Sequence, residues 1–219
     1  YERNCLNMNN AVIFDVDGTL WNTSEIVARA WNLAIKENSD LGYAYTAEYL
    51  RKTAFGKPMS EIGHILLPGC SEEEVARLSK ICFEYEDRAV IEEKAEIYDG
   101  VAEVMDELKK KGWKLYIVSN CQLGYVEACM AQCGIEEYIL DHLCFGETGK
   151  RKGETIRMLM ERNGLSEAVY VGDTEGDMEA SREAGIPFIY AAYGFGDVKD
   201  PDYSIDSFRS LPELLESMG

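Results

Sequence analysis

The sequence predicts an α/β fold, a doubly wound parallel sheet with helices on both faces, interrupted just after its first strand by an all-helical insert. Three observations lead there. From about residue 97 onward, short apolar runs alternate with amphipathic segments of helical length, the pattern of consecutive βαβ units. Polar or acidic clusters fall where those runs stop, and parallel sheets bind ligands beyond the carboxyl ends of their strands. Between Asn22 and Glu92, by contrast, helical patterns follow one another with no convincing strand.

The first strand is Ala11-Val-Ile-Phe14, four apolar residues before a Gly18-Thr19 turn, which reads as a strand buried on both faces. In the insert, Ile26, Ala30, Leu33 and Ala34 recur at helical spacing. Ser71 and the three glutamates after it open another helix in the manner of a capping box, with Val75, Leu78, Cys82 and Tyr85 on one face. Asp99 is expected to cap a helix carrying Val101, Val104, Met105 and Leu108, which Gly112 ends. Strands are expected over 114–118, 139–144, 168–171 and 186–190, and near Tyr203. Helices are expected over 124–133, 153–163 and 175–184 and at the C-terminal end.

With 219 residues, 46% of them apolar and 28% charged, the chain has an ordinary globular composition and can bury a sizeable core. Its net charge of −18 argues against nucleic acid or an anionic membrane as a partner. Residues 22–92 carry only −4 of that charge, so the insert is the less acidic part. Seven cysteines form an odd set without metal-ligand spacing, which suggests a reducing compartment, and Cys129 and Cys133, one helical turn apart, read as small buried hydrophobes. No apolar run approaches the roughly 18 residues of a membrane span, and no signal pattern opens the chain, so a cytoplasmic location is expected.

Four clusters sit at four strand ends. Asp15 and Asp17 leave the first strand together, and two like charges a few ångströms apart repel by about 4 kcal/mol at an effective dielectric of 20, so the pair calls for a cation. Mg²⁺ suits hard oxygen ligands. Ser119-Asn120 follows the strand over 114–118 and offers a hydroxyl and an amide to an anion. In the basic run Lys150-Arg151-Lys152, Lys152 stands at a helix start, with Lys150 as the alternative if the register is shifted. Gly172-Asp173-Thr-Glu-Gly-Asp177 places Asp173 at a strand exit and Asp177 one helical turn later. Singly, the first three also read as turns or a solvated loop, whereas acids at a buried strand end make the fourth hard to explain as decoration. Jointly they supply a nucleophile (Asp15), an acid/base (Asp17), anion clamps (Ser119, Lys152) and a metal ligand (Asp173), the parts of a phosphoryl-transfer site.

In order and spacing, Asp15-Val-Asp17-Gly-Thr-Leu20, Ser119-Asn120, Lys152 and Gly172 to Asp177 resemble the four motifs of the haloacid dehalogenase superfamily, and the insert resembles that family's class I cap. The likeness spans essentially the whole chain. The stretch from Val171 through Phe188 is most similar to the phosphoglycolate-phosphatase-type branch. The resemblance implies a catalytic core over 9–21 and 93–219 with a cap over 22–92. It implies that Asp15 attacks phosphorus to form an aspartyl-phosphate, while Asp17 protonates the leaving alcohol and later activates water. It further implies Mg²⁺ held by the carboxylates of Asp15 and Asp173 and the backbone carbonyl of Asp17, with Asp177 a ligand or a partner behind the ligands, and phosphoryl oxygens held by Ser119, Asn120 and Lys152. Gly153 after Lys152 departs from the family's usual Lys-Pro run. An acid at Asp17, which the family's dehalogenases lack, favours phosphate chemistry.

Caps of this family choose the substrate, and Arg51-Lys52-Thr-Ala-Phe55-Gly-Lys57-Pro58 is the candidate segment, with Lys57 first and Arg51 next to reach the site; His64 is expected to be structural or on the surface. The expected function is therefore Mg²⁺-dependent hydrolysis of a small phosphorylated metabolite. Two alternatives stay open: a β-phosphoglucomutase-like isomerase, and a regulatory module that accepts phosphate at Asp15, which a long cap disfavours because enclosing a substrate serves turnover.

Overall fold

The computed structural model describes residues 10–218; residue 9, the expected start of the core, and Cys5 lie outside them. Its strands are β1 (Ala11–Phe14), β2 (Trp21–Asn22), β3 (Glu96–Ile97), β4 (Lys114–Ser119), β5 (Ile139–Cys144), β6 (Val169–Gly172), β7 (Phe188–Ala191) and β8 (Tyr203–Ile205). All but β2 and β3 join one parallel sheet in the order β5-β4-β1-β6-β7-β8. This is the doubly wound arrangement, and the winding changes direction between β1 and β6. The register pairs Phe14 with Ile117 and with Val171, which brings the exits of β4, β1 and β6 side by side.

Side-chain alternation along β1 builds two cores. Val12 and Phe14 face the layer formed by α5 (Val101–Lys110), α6 (Tyr125–Cys133) and α10 (Leu211–Met218). Ala11 and Ile13 face α8 (Lys152–Arg162) and α9 (Glu175–Ala184). A one-turn helix, α7 (Phe145–Thr148), bridges β5 and α8.

The insert holds α1 (Ser24–Asn38), α2 (Ala47–Thr53), α3 (Met59–Leu66) and α4 (Glu72–Glu92). Helix α1 packs along α4, and the Trp31 and Phe83 rings meet edge to face at 5.4 Å between them. Ser71 caps α4 by accepting from the Glu74 N–H.

Several expectations are corrected. The insert is entered and left through a two-stranded antiparallel ribbon, Trp21 opposite Ile97 and Asn22 opposite Glu96. Two-residue strands show no period in sequence, so the strand at Asn22 went unread. Asp99 does not cap α5. The cap position is Gly100 in the left-handed region, and Asp99 instead takes both Nε and Nη2 of Arg209, at 2.6 and 2.9 Å. Leu33 is exposed on the outer side of α1, while Ile26, Ala30 and Ala34 are buried. The strand expected from Ile186 begins at Phe188, because the left-handed Gly185 closes α9 and the Ile186 N–H is held by the Ser181 carbonyl, in a helix-ending motif. Cys129 and Cys133 are buried with their sulfurs 3.8 Å apart.

Candidate active site

The Asp15 N–H donates to the Val171 carbonyl at 2.9 Å, which carries the β1–β6 ladder one residue past the strand and fixes where the carboxylate emerges. The chain then turns on the Val16 carbonyl, with Gly18 at φ +79, and delivers Asp17 to the floor of a cleft between sheet and insert. One Asp17 oxygen, Oδ1, accepts from the Thr23 hydroxyl at 2.7 Å and the Tyr125 hydroxyl at 2.9 Å. Burial pushes its pKa up to about 7, against the pull of those two donors. Burial likewise lifts Asp15 to about 6, with Lys152 opposing the rise.

Lys152, the first residue of α8, is buried and places Nζ 2.9 Å from Asp15 Oδ1 and 2.6 Å from Asp177 Oδ1. Desolvation opposes its charge, but the two carboxylates outweigh it and hold the ammonium well above its ordinary pKa. Lys150 is exposed, so the geometry selects Lys152 between the two lysines. Asp177 Oδ2 accepts from the Thr174 hydroxyl and from the backbone N–H groups of Asp173 and Thr174, closing a capping box at the start of α9. Both Asp177 oxygens are therefore engaged by protein donors. The residue braces Lys152 and the Asp173 loop.

Asp173 is fully buried: Oδ2 accepts from the Phe195 N–H at 2.6 Å, and Oδ1 has no hydrogen-bond partner among the described residues. Carboxylate oxygens of Asp15, Asp173 and Asp177 lie within 4.8 Å of one another. Three carboxylates against one ammonium, with one buried oxygen unsatisfied, make a site fit for a divalent cation. Burial and the neighbouring Asp177 and Asp15 hold Asp173 well above the usual carboxylate range when no cation is bound.

The backbone closes tightly around that carboxylate. A Cβ on Gly18 would lie 2.0 Å from Asp173 Oδ2, and one on Gly194 2.3 Å from Asp173 Cβ. Gly18→Ala combines this clash with a positive φ, so it is expected to destabilise the protein by roughly 2 kcal/mol or more and to weaken divalent-cation binding. Thermal melts with and without the cation check it; an unchanged cation-induced shift would overturn it.

Ser119 ends β4 buried beside the cleft. Asn120 lines the cleft too, but its amide donates at 3.0 Å to the Gly56 carbonyl of the insert, while its Oδ1 is buried without a partner among the described residues. The turn at Gly56 sits over the site, where a Cβ would come 2.9 Å from Thr174 Cγ2. Lys57 follows on this turn and lines the cleft mouth. Arg51 is not among the lining residues. Its Nη1 donates to the Ser24 hydroxyl at 2.7 Å and its guanidinium stands 6.0 Å from the Phe195 ring centroid. His64 is exposed, 3.8 Å from Glu72.

Between floor and insert lies a cavity of about 60 Å³, room for a few waters, walled by residues that include Val27, Trp31, Leu50, Phe83 and Glu86. Glu86 on α4 accepts from Trp31 Nε1 at 2.7 Å and from Gln122 Nε2 at 3.2 Å, and burial pushes it up to about 7. Thr23, Tyr125 and Glu86 were missed in the sequence reading. For Glu86 a signal existed: it continues the buried stripe Val75, Leu78, Cys82 of α4, and an acid in such a stripe asks for a partner.

A raised carboxyl pKa favours the fold below the unfolded value of 4.5, and that contribution is lost as pH rises through about 7. Glu86→Gln should therefore match wild type near pH 4 and exceed it at pH 8 by on the order of 3 kcal/mol. Melts across that range test the sign; a variant less stable at pH 8 would contradict it.

Three carboxylates that could hold a metal ion and one buried lysine thus gather at the switch point of a doubly wound sheet, beneath the helices of the insert. The haloacid dehalogenase-like hydrolase family model matches residues 12–191, and the chain belongs to that family. A pyrophosphatase, PpaX, of Halalkalibacterium halodurans is 30% identical over 96% of this chain and 97% of its own length. A phosphoglycolate phosphatase of Vibrio parahaemolyticus is 27% identical over 93% and 95%. Among solved structures, a haloacid dehalogenase-like family protein of Streptococcus pneumoniae shares the fold with a TM-score of 0.80 at 21% identity, covering 98% of this chain and 100% of that one.

Proposed function

We propose that this hydrolase is a Mg²⁺-dependent phosphatase of small phosphorylated metabolites, working through an aspartyl-phosphate on Asp15, with residues 22–92 as a cap over a core formed by the rest. The observation that carries the reading is the convergence of Asp15, Lys152 and Asp173 at one point, with Asp17 beside them at the cleft floor. Relatives named as phosphatases along the whole chain support it.

Asp15 and Asp173 would hold the ion, the unsatisfied Asp173 Oδ1 supplying the most evident ligand, and the backbone carbonyl of Asp17 is the further candidate. When bound, Mg²⁺ supplies positive charge that lets a phosphate dianion approach a carboxylate. Lys152 grips Asp15 Oδ1, leaving Oδ2 as the attacking oxygen. The Asp15–phosphorus bond forms as the bond to the leaving oxygen breaks. Asp17, with its pKa near 7, gives that oxygen a proton. It then takes a proton from the water that attacks phosphorus, which frees Asp15 and releases inorganic phosphate. Thr23 and Tyr125 fix Asp17 for both transfers. Ser119, Lys152 and the amide of Asn120 receive the phosphoryl oxygens, the last only if the Gly56 contact opens. Lys57 at the mouth is the cap cation placed to meet the substrate, with Arg51 as a support to the cap base. A reducing, cytoplasmic setting fits the free thiols of the described cysteines, and no described helix is long and apolar enough to cross a membrane.

Release of inorganic phosphate from acetyl phosphate and a panel of phosphomonoesters, with Mg²⁺ and with EDTA, tests this reading. Metal-dependent release is expected, and substrate isomerised without release would favour the mutase alternative. Asp17→Asn should fold normally and slow turnover by about 10² to 10⁴. Unimpaired turnover in that variant would remove Asp17 from its assigned role.

A further inference from the structure

The cavity holds a buried carboxylate that the phosphoryl-transfer machinery does not use. Lys57, exposed at the mouth, shares an outer groove of mixed charge with Arg151 and Lys152 and with Glu61, Glu179 and Glu183, on the side where the phosphoryl group would lie. At the other end, inside the cap, stand the rings of Trp31 and Phe83 and the carboxylate of Glu86. Glu86 is only 8% exposed and lines the cavity, yet among the described residues no lysine, arginine or histidine lies within ion-pair distance of it. Its two recorded hydrogen-bond partners, Trp31 Nε1 and Gln122 Nε2, are neutral donors that hold the carboxylate in place without cancelling its charge.

A buried carboxylate without a cation is costly unless a ligand supplies the charge. An anionic leaving group would bring a second negative charge to this end, where no described side chain compensates it. An ammonium would satisfy the carboxylate, between the Trp31 and Phe83 side chains that help wall the cavity. The cavity has room for a few waters, which suits a short leaving group.

We propose that Glu86 is a specificity-determining residue and that the substrate is a phosphate monoester of a short amino alcohol, phosphate on the Asp15 side and ammonium on Glu86. This rests on the phosphatase reading above. It also separates the chain from relatives named for phosphoglycolate and pyrophosphate, whose leaving groups are anionic.

The test measures Mg²⁺-supported phosphate release from acetyl phosphate, 2-aminoethyl phosphate, its neutral isostere n-propyl phosphate, and phosphoglycolate. In wild type, kcat/KM for 2-aminoethyl phosphate should exceed that for propyl phosphate by roughly 10- to 100-fold, as for a charged hydrogen bond, with phosphoglycolate poorer still. Glu86→Gln should bring the amine-to-propyl ratio to about one, chiefly through KM of the amine. A wild-type preference for phosphoglycolate, or a ratio that survives in Glu86→Gln, overturns the proposal, and the wild-type ratio decides alone should the variant fail to fold. Acetyl phosphate separates the two levels. If wild type cleaves it and shows no preference for the amine, only the assignment of Glu86 fails; if wild type does not cleave it, the phosphatase reading fails and takes this proposal with it.

Discussion

Asp15→Asn is expected to lower phosphate release by at least about 10⁴-fold while leaving the cation-free protein as stable as wild type or more so at pH 8. An amide oxygen is a poor nucleophile, and no other carboxylate can replace it: both Asp177 oxygens are engaged, and Asp173 is turned into the Gly18–Gly194 cradle. The stability half follows from linkage. Folding lifts Asp15 from 3.8 to about 6, so its contribution favours the fold below pH 4 and is lost as pH rises through 6. Removing the ionisable group removes a penalty on the order of 3 kcal/mol at pH 8, less whatever Lys152 loses with one of its two partners. The melting difference between variant and wild type in EDTA should therefore grow in the variant's favour from pH 4 to pH 8, and added Mg²⁺ should stabilise wild type more than the variant. Activity within tenfold of wild type, or a melt far below it at pH 8 in EDTA, would refute this account of the site.

That opposition between activity and cation-free stability is why the centre was legible in the sequence. Carboxylates at the exits of buried strands are unfavourable without a ligand, so Asp15, Asp17 and Asp173 stand out wherever Val-Ile-Phe or Val-Tyr-Val runs stop. The α/β class was legible for a related reason, since continuous apolar runs of four to six residues and one-faced helices such as Val101–Leu108 follow from burial on a parallel sheet. What was not legible depends on tertiary partners. The β2–β3 ribbon is too short to carry a period, and Asp99 met Arg209, 110 residues away, before it could cap its own helix. In the segment from Arg51 to Pro58, the Gly-Lys-Pro turn put Lys57 ahead of Arg51 in sequence, but the partners that hold Arg51 away were not legible. The turn at Gly56 sends Lys57 to the cleft, while Arg51 is drawn back to Ser24 and Phe195. Tyr125 reaches Asp17 across 108 residues, and no local pattern announces it.

Lys152→Met should produce the largest loss of stability, about 3 to 5 kcal/mol at pH 8, or a melting temperature lower by roughly 10 °C, because it strands two buried carboxylates rather than deleting a balanced pair. The lysine's own pKa is raised, so its contribution is fully present at pH 8 and is lost only at more alkaline pH. The deficit should nevertheless narrow toward pH 5, since Asp15, already near 6 with the ammonium beside it, takes up a proton more readily without it. Mg²⁺ should recover part of the loss by standing in for the missing charge, but not turnover, since in the proposed mechanism Lys152 also receives the phosphoryl oxygens. The matched control is Lys150→Met, two residues away and exposed, which should stay within about 0.5 kcal/mol of wild type. Equal behaviour of the two variants would mean that the Lys152 ammonium does not sit between Asp15 and Asp177 in solution, and the ordering of the whole centre around it would have to be abandoned.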